Sequence, residues 1–498
     1  MATQNQSLDP EFERRLEQLA MCIEQRVDGS NGDDQCWAVV AKQRRVGPLR
    51  RDEELGFAAT DPAAECRDPL RSVPAGDGGK FVPLAPVSLK EAGLTESEVE
   101  ALILKFLLNR GTTTGAAISA QIALPFGLIE KEFRSLKNEQ LVTFKGSAKL
   151  NDYVYELTES GADRARRHAR QCTYFGAAPV ALEHYVASVM AQSLQRVTPT
   201  REDFRRAFSD LYLSEEMLKR VGRAVVFGRG LFLYGSPGNG KTCIAERVTR
   251  AYGGSVWIPR AISAWGEIIR FYDPGNHEEL SVVASDNVAV DEKIDKRWVR
   301  IRRPTVIVGG ELTMDNLEIR TDKSTGIAEA PLQLKSNCGT LVIDDFGRQR
   351  ISPAELLNRW IVPLDKRHDY LNLASGRKIQ VPFDQFIVFS TNLEPSDLVD
   401  EAFLRRIPYK ILAEDPTDAE FRGMLEQICR KMGVEYCAAA ADHLVEEHYR
   451  RAGRKMRFCH PRDLVQQVET FCRFEKLPLR LSADALDAAA RQYFSAVQ

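Results

Sequence analysis

The 498-residue sequence has no apolar run approaching the about 18 residues that cross a bilayer, so no membrane-spanning helix is expected. It has no Cys-x-x-Cys pair among its ten cysteines and no hydrophobic segment at its start, and free thiols in a reducing, cytoplasmic compartment are the expectation. Charge of one sign is not in excess either. Lys plus Arg (68) nearly balance Asp plus Glu (70), so no global field commits the chain to nucleic acid or to a membrane surface, and any basic patch must be local. The length suits two or three domains, each with its own core.

The strongest local signal is Gly235-Ser236-Pro237-Gly238-Asn239-Gly240-Lys241-Thr242, which follows the apolar run Leu231-Phe232-Leu233-Tyr234 and precedes a helical pattern over Cys243 to Tyr252. A strand turning through three glycines into a helix leaves backbone N–H groups converging where an anion can sit. In such a loop Lys241 reaches the β- and γ-phosphates of a nucleotide, and the Thr242 hydroxyl is placed to ligate Mg²⁺. The competing reading is an ordinary glycine-rich turn, against which stands the order of strand, loop and helix.

A second apolar run, Thr340-Leu341-Val342-Ile343, ends in Asp344-Asp345. A buried strand has little reason to end in paired acids unless a cation or a proton is held there, although a helix cap would also use them. Asp344 is the candidate for Mg²⁺ and Asp345 for polarising an attacking water. A third run, Phe386 to Thr391, ends in Asn392, a candidate for sensing the γ-phosphate. An amphipathic helix over Asp397 to Arg406 closes with Arg405-Arg406, and a short strand is expected at Tyr409 to Leu412. Two arginines at a helix C-terminus also simply suit its dipole.

Upstream, residues 1–87 alternate polar, acidic and Gly/Pro patches, with one helical candidate at Asp9 to Arg26, and are expected to be mostly disordered segment and linker. Residues 88–171 have a different texture: helices at Thr95 to Asn109, Gly115 to Ala123 and Gly127 to Glu139, strands at Leu141 to Phe144 and Tyr153 to Leu157, and a closing helix to Gln171. That order is winged-helix-like. The third helix carries Lys131, Arg134 and Lys137 but also Glu130, Glu132 and Glu139. Lys145, Lys149, Arg164, Arg166, Arg167 and Arg170 can hold phosphates or form a solvated face, so nucleic acid and protein both stay open as partners, protein being favoured.

From about Leu211 onward these residues resemble an AAA+ ATPase, in which a phosphate loop (Walker A), an acidic strand end (Walker B), a sensor strand ending in Asn and an arginine after the next helix follow in this order. The resemblance implies a three-layer α/β P-loop core with a parallel sheet over residues 172–414 and a helical lid over 415–498, with an α+β winged-helix-like domain before them. It implies ATP and Mg²⁺ as ligands, Asp345, Asn392 and either Arg405 or Arg406 as catalytic groups, and Arg462 in Cys459-His460-Pro461-Arg462 as second sensor. His460 is expected to pack or cap. An arginine finger acts on a neighbouring subunit, so a ring is implied, a hexamer being the candidate size.

Two departures accompany the resemblance. The acidic pair is Asp-Asp where many relatives carry Asp-Glu. The stretch between Lys241 and Asp344 is also longer than one strand and one helix need, so a strand-rich insert at about 265–335 is expected, with strands at Glu267 to Tyr272, Arg297 to Arg302 and Pro304 to Gly309. It resembles members with an insert in the second helix, such as enhancer-binding activators and bacterial AAA+ ATPases described as predicted chaperones. Trp265 and Phe271-Tyr272 are candidate contact groups there, with burial the favoured account. The implied function is ATP hydrolysis coupled to remodelling of a macromolecular client; the alternative is an ATP-dependent DNA-binding regulator of transcription or replication.

Overall fold

The computed structural model describes residues 81–148, 152–281, 293–398 and 401–495. The helix expected at Asp9 to Arg26, and Lys149, lie outside the described residues. The described residues belong to one compact unit.

Its centre is a five-stranded parallel sheet of β1 (Gly230–Tyr234), β2 (Thr305–Val308), β3 (Thr340–Ile343), β4 (Phe386–Thr391) and β5 (Tyr409–Leu412), in the order β2-β3-β4-β1-β5. The strands read as continuous apolar runs because both faces are covered. With a side-chain period of two, Leu231, Leu233, Val342, Phe386, Val388 and Ile411 pack against α1 (Glu215–Phe227) and α2 (Lys241–Tyr252). Phe232, Leu341, Ile343, Ile387 and Phe389 pack on the other face with Trp360 of α3 (Pro353–Lys366). The result is a three-layer α/β/α domain. Ser214 caps α1, its hydroxyl accepting from the Met217 N–H.

The strand expected at Pro304 to Gly309 corrects the reading of the insert. Thr305–Val308 pairs in parallel with Thr340–Ile343 and is the outer strand of the central sheet. A four-residue β-branched run carries no label for the sheet it joins, and only the partner decides. The accessory strands therefore lie on both sides of β2 and not within a second helix. Ser255–Pro259 pairs with Trp298–Arg302, while Ala261–Ala264 and Glu267–Arg270 before β2 share a sheet with Arg320–Thr321 and Ala328–Glu329 after it and with the upstream Val180–Ala181.

Preceding the central domain, helices Glu96–Arg110, Gly115–Ile122 and Phe126–Asn138 and the hairpin Val142–Ser147/Tyr153–Leu157 appear in the expected order, closed by Glu159–Gln171. Thr113–Thr114 adds a third strand. The first helix starts at a reciprocal Thr95/Glu98 capping box.

After β5 come α4 (Asp418–Met432), a helix that runs from Ala438 to His443 and continues as a π-helical turn over Leu444–Arg450, α5 (His460–Phe474) and α6 (Ala483–Phe494). They enclose their own apolar core around Phe421, Leu444, Val465 and Leu486. Among the described residues no helix is long and apolar enough to cross a membrane.

Candidate functional site

The loop between β1 and α2 turns through positive φ at Gly235, Gly238 and Gly240 (129°, 83° and 72°), values that side-chain-bearing residues reach only with strain. A Cβ at Gly240 would meet nothing within 4 Å, so the loop is open there, whereas a Cβ at Gly238 would come within 2.6 Å of Cys459 Sγ. No side chain caps the N-terminus of α2, and its first N–H groups face the cradle as an anion site at the positive end of the helix dipole.

Lys241 is buried and its ammonium donates to Gly235 O at 2.9 Å, Ser236 O at 3.0 Å and Asn392 Oδ1 at 2.6 Å. Burial pulls its pKa below that of an ordinary lysine; Asp344 and Asp345 oppose that, and the charge of Arg457 adds to it. Thr242 Oγ1 donates to Asp344 Oδ2 at 2.7 Å, and Asn392 Nδ2 donates to Asp345 Oδ1 at 3.3 Å. Because β4 lies between β1 and β3, Asn392 stands between the lysine and the acids. Lys241, Thr242, Asp344, Asp345 and Asn392 are thus brought into one cluster.

Asp345 adopts φ 49°, in the left-handed region where Asp and Asn are the best tolerated residues after glycine. This supplies a backbone reason for an aspartate at the second acidic position. The turn is held by Gln349, whose Nε2 donates to Asp344 O at 2.8 Å and Asp345 O at 3.0 Å, and by Thr391 Oγ1, which donates to Phe346 O at 2.8 Å.

The two finger candidates, expected to act on a neighbouring subunit, have partners within their own chain. Arg405, 76 % exposed, pairs with Glu401, and Arg406 pairs with Asp365. The segment that bears them comprises two short helices, Pro395–Leu398 and Glu401–Arg406. Arg462 is exposed on the first turn of α5. Sequence reasoning missed Arg457, which stands beside the phosphate loop: it pairs with Asp415, which also accepts from Asn239 Nδ2 at 2.7 Å. No motif marks Arg457, which lies in an irregular stretch before α5. The Cys459 N–H donates to Gly238 O at 2.9 Å, so the start of α5 sits on the phosphate loop. His460 is a packing residue as expected; its Nδ1 is 2.9 Å from Tyr449 Oη.

The three accessory aromatics divide, with Tyr272 half-buried, between the other two in exposure. Phe271 is buried, but Trp265 is 70 % exposed at a hairpin turn with φ 53°, stacked by the Arg377 guanidinium. Of the upstream cations, Arg134 pairs with Glu130, Lys145 with Glu156, Arg164 with Glu100 and Glu139, and Arg166 with Asp163, while Lys137 lies over the Phe144 ring.

Residues 417–492 match the model of a family described as a domain of unknown function, DUF8689. None of the curated proteins matches the chain. Among solved structures it is similar to the Thermotoga maritima RuvB Holliday junction branch migration motor (14% identity, TM-score 0.34, 60% of this chain and 73% of that one). It is also similar to NtrX from Brucella abortus in complex with ATP (14% identity, TM-score 0.35, 59% of this chain and 61% of that one).

Proposed function

We propose that the protein is an AAA+ ATPase that binds ATP and Mg²⁺ and hydrolyses ATP within a ring to remodel a macromolecular client. The observation that carries this reading is the meeting of Lys241, Asn392 and Asp345 on one side, and of Thr242 and Asp344 on the other, at the open mouth of a glycine cradle. The residues fit the ligands: uncapped N–H groups and a lysine suit phosphates, and a hydroxyl beside a carboxylate suits Mg²⁺.

Thr242 and Asp344 would hold the metal, which when bound would supply charge neutralisation on the phosphates. The loop N–H groups and Lys241 hold the phosphate oxygens, Asp345 orients and polarises water, and Asn392 fixes the distance between that carboxylate and the lysine. Arg405 or Arg406, both engaged away from their own chain's cluster, would act on a neighbouring subunit. Arg462 remains the second-sensor candidate by position, and Arg457 joins it by proximity.

A protein client is favoured over nucleic acid because four of the cations expected to meet phosphates already have carboxylate partners within the N-terminal module. The test is phosphate release per subunit, alone and with duplex DNA or an unfolded protein added, together with the elution volume with and without ATP. Release that is the same for wild type and Lys241→Ala would sink the proposal.

A further inference from the structure

Away from the phosphate loop, the helical C-terminal region contains a second cluster of chemistry-bearing groups. His443 Nε2 lies 2.8 Å from Asp487 Oδ1 and His448 Nε2 lies 2.6 Å from the same oxygen. The donor atoms of the three residues all lie within 4.8 Å of one another, and each side chain is partly exposed. Two of the seven histidines in the chain therefore point at one carboxylate from a different helix.

The backbone is distorted where this happens. Residues five apart on an α-helix point to different faces, whereas an i→i+5 turn stacks them. Leu444–Arg450 is π-helical, with the Arg451 N–H donating to Glu446 O at 2.9 Å and the Arg454 N–H to Tyr449 O at 2.8 Å. That register is what aligns His443 with His448. A π-turn within an α-helix is rare and occurs frequently at functional sites.

The neighbouring cations do not occupy the carboxylate: Arg454 Nη1 donates to His448 O and Arg491 Nε to Asp487 O, both main-chain acceptors. We propose that His443, His448 and Asp487 form a site for a divalent ion of borderline softness, Zn²⁺, bound through two imidazole nitrogens and one carboxylate oxygen, with water completing the coordination. Each neutral imidazole offers its Nε2 lone pair to the ion and carries its single proton on Nδ1. The ion clamps the π-helical turn to α6. Tyr449, next to His448, contacts His460 and Phe494, so the clamp lies one packed layer from the start of α5 on the phosphate loop.

The experiment is calorimetric titration of Zn²⁺ into the chelator-treated full chain, with a thermal melt alongside. Wild type is expected to take one ion through this site and to melt higher with Zn²⁺. His443→Ala, His448→Ala and the isosteric Asp487→Asn are expected to bind at least about tenfold more weakly, since loss of even an outer-shell partner costs that much. Each should lose the thermal shift while keeping the wild-type circular dichroism spectrum, and His368→Ala should change nothing. Co²⁺ in place of Zn²⁺ should give visible d–d bands that vanish in Asp487→Asn. Absence of Zn²⁺ binding by wild type, or equal affinity in wild type and Asp487→Asn, overturns the proposal and leaves a hydrogen-bonded triad.

Discussion

Lys241 Nζ lies 2.6 Å from Asn392 Oδ1, although 151 positions separate the two residues. This contact ties the end of β4 to the phosphate loop on β1, and through Asn392 Nδ2 it reaches Asp345. One amide thus sets the spacing between the cation of the cradle and the acid at the tip of β3. Asn392→Ala should leave ATP affinity within a few-fold of wild type and lower the hydrolysis rate roughly 10²-fold, the scale on which a positioned polar donor acts. A rate within a factor of two of wild type would remove Asn392 from the machinery.

Asp345 offers a case where backbone and chemistry separate. Asparagine also tolerates φ 49°, so Asp345→Asn should melt like wild type, bind ATP and fail to turn it over. Asp345→Ala should fail as well but should also lose about 1 kcal/mol of stability, because alanine in the left-handed region carries a steric cost. Urea unfolding and phosphate release on the same three samples decide it.

Arg457 and Arg462 make opposite demands on the same assay. Arg457→Ala frees Asp415 and removes a charge from beside Lys241, so nucleotide affinity should fall roughly tenfold, about 1.4 kcal/mol. Arg462→Ala, at an exposed position, should leave affinity unchanged if Arg457 is the group that reports on the phosphates. Equilibrium binding of a fluorescent ATP analogue separates them, and the reverse ranking would restore Arg462 to that part.

Burial pushes the His460 imidazole down to about 4, with Arg457 and Arg454 adding to the shift and Asp463 and Asp415 opposing it. The unfolded chain therefore binds a proton between about pH 6.5 and 4 that the folded chain does not. The stability contributed by neutral His460 is complete above pH 6.5 and drains away as pH falls toward 4, on the order of 3 kcal/mol in all. Denaturant unfolding at pH 4.5 and 7 should show a smaller pH dependence for His460→Gln than for wild type.

A finger acting in trans predicts complementation. Lys241→Ala and Arg405→Ala should each be inactive alone, yet a mixture should recover part of the wild-type rate. In mixed rings the intact Arg405 of one variant faces the intact Lys241 of the other. If only Arg406→Ala behaves this way, the finger is Arg406; if neither does, the arginines act within their own chain or not at all.

The sequence by itself determined the local pieces. Three glycines before Lys241-Thr242, continuous apolar runs ending in Asp344-Asp345 and Asn392, and the capping box at Thr95 act over a few residues, so their pattern is written in the order of the chain. Only the tertiary structure decided which sheet received Thr305–Val308, that Arg457 pairs with Asp415 beside the phosphate loop, and that the donor atoms of His443 and His448 meet Asp487. A strand's partner, an arginine's reach from an irregular stretch and a π-turn's register are set by what packs against them, and that information lies in distant parts of the chain.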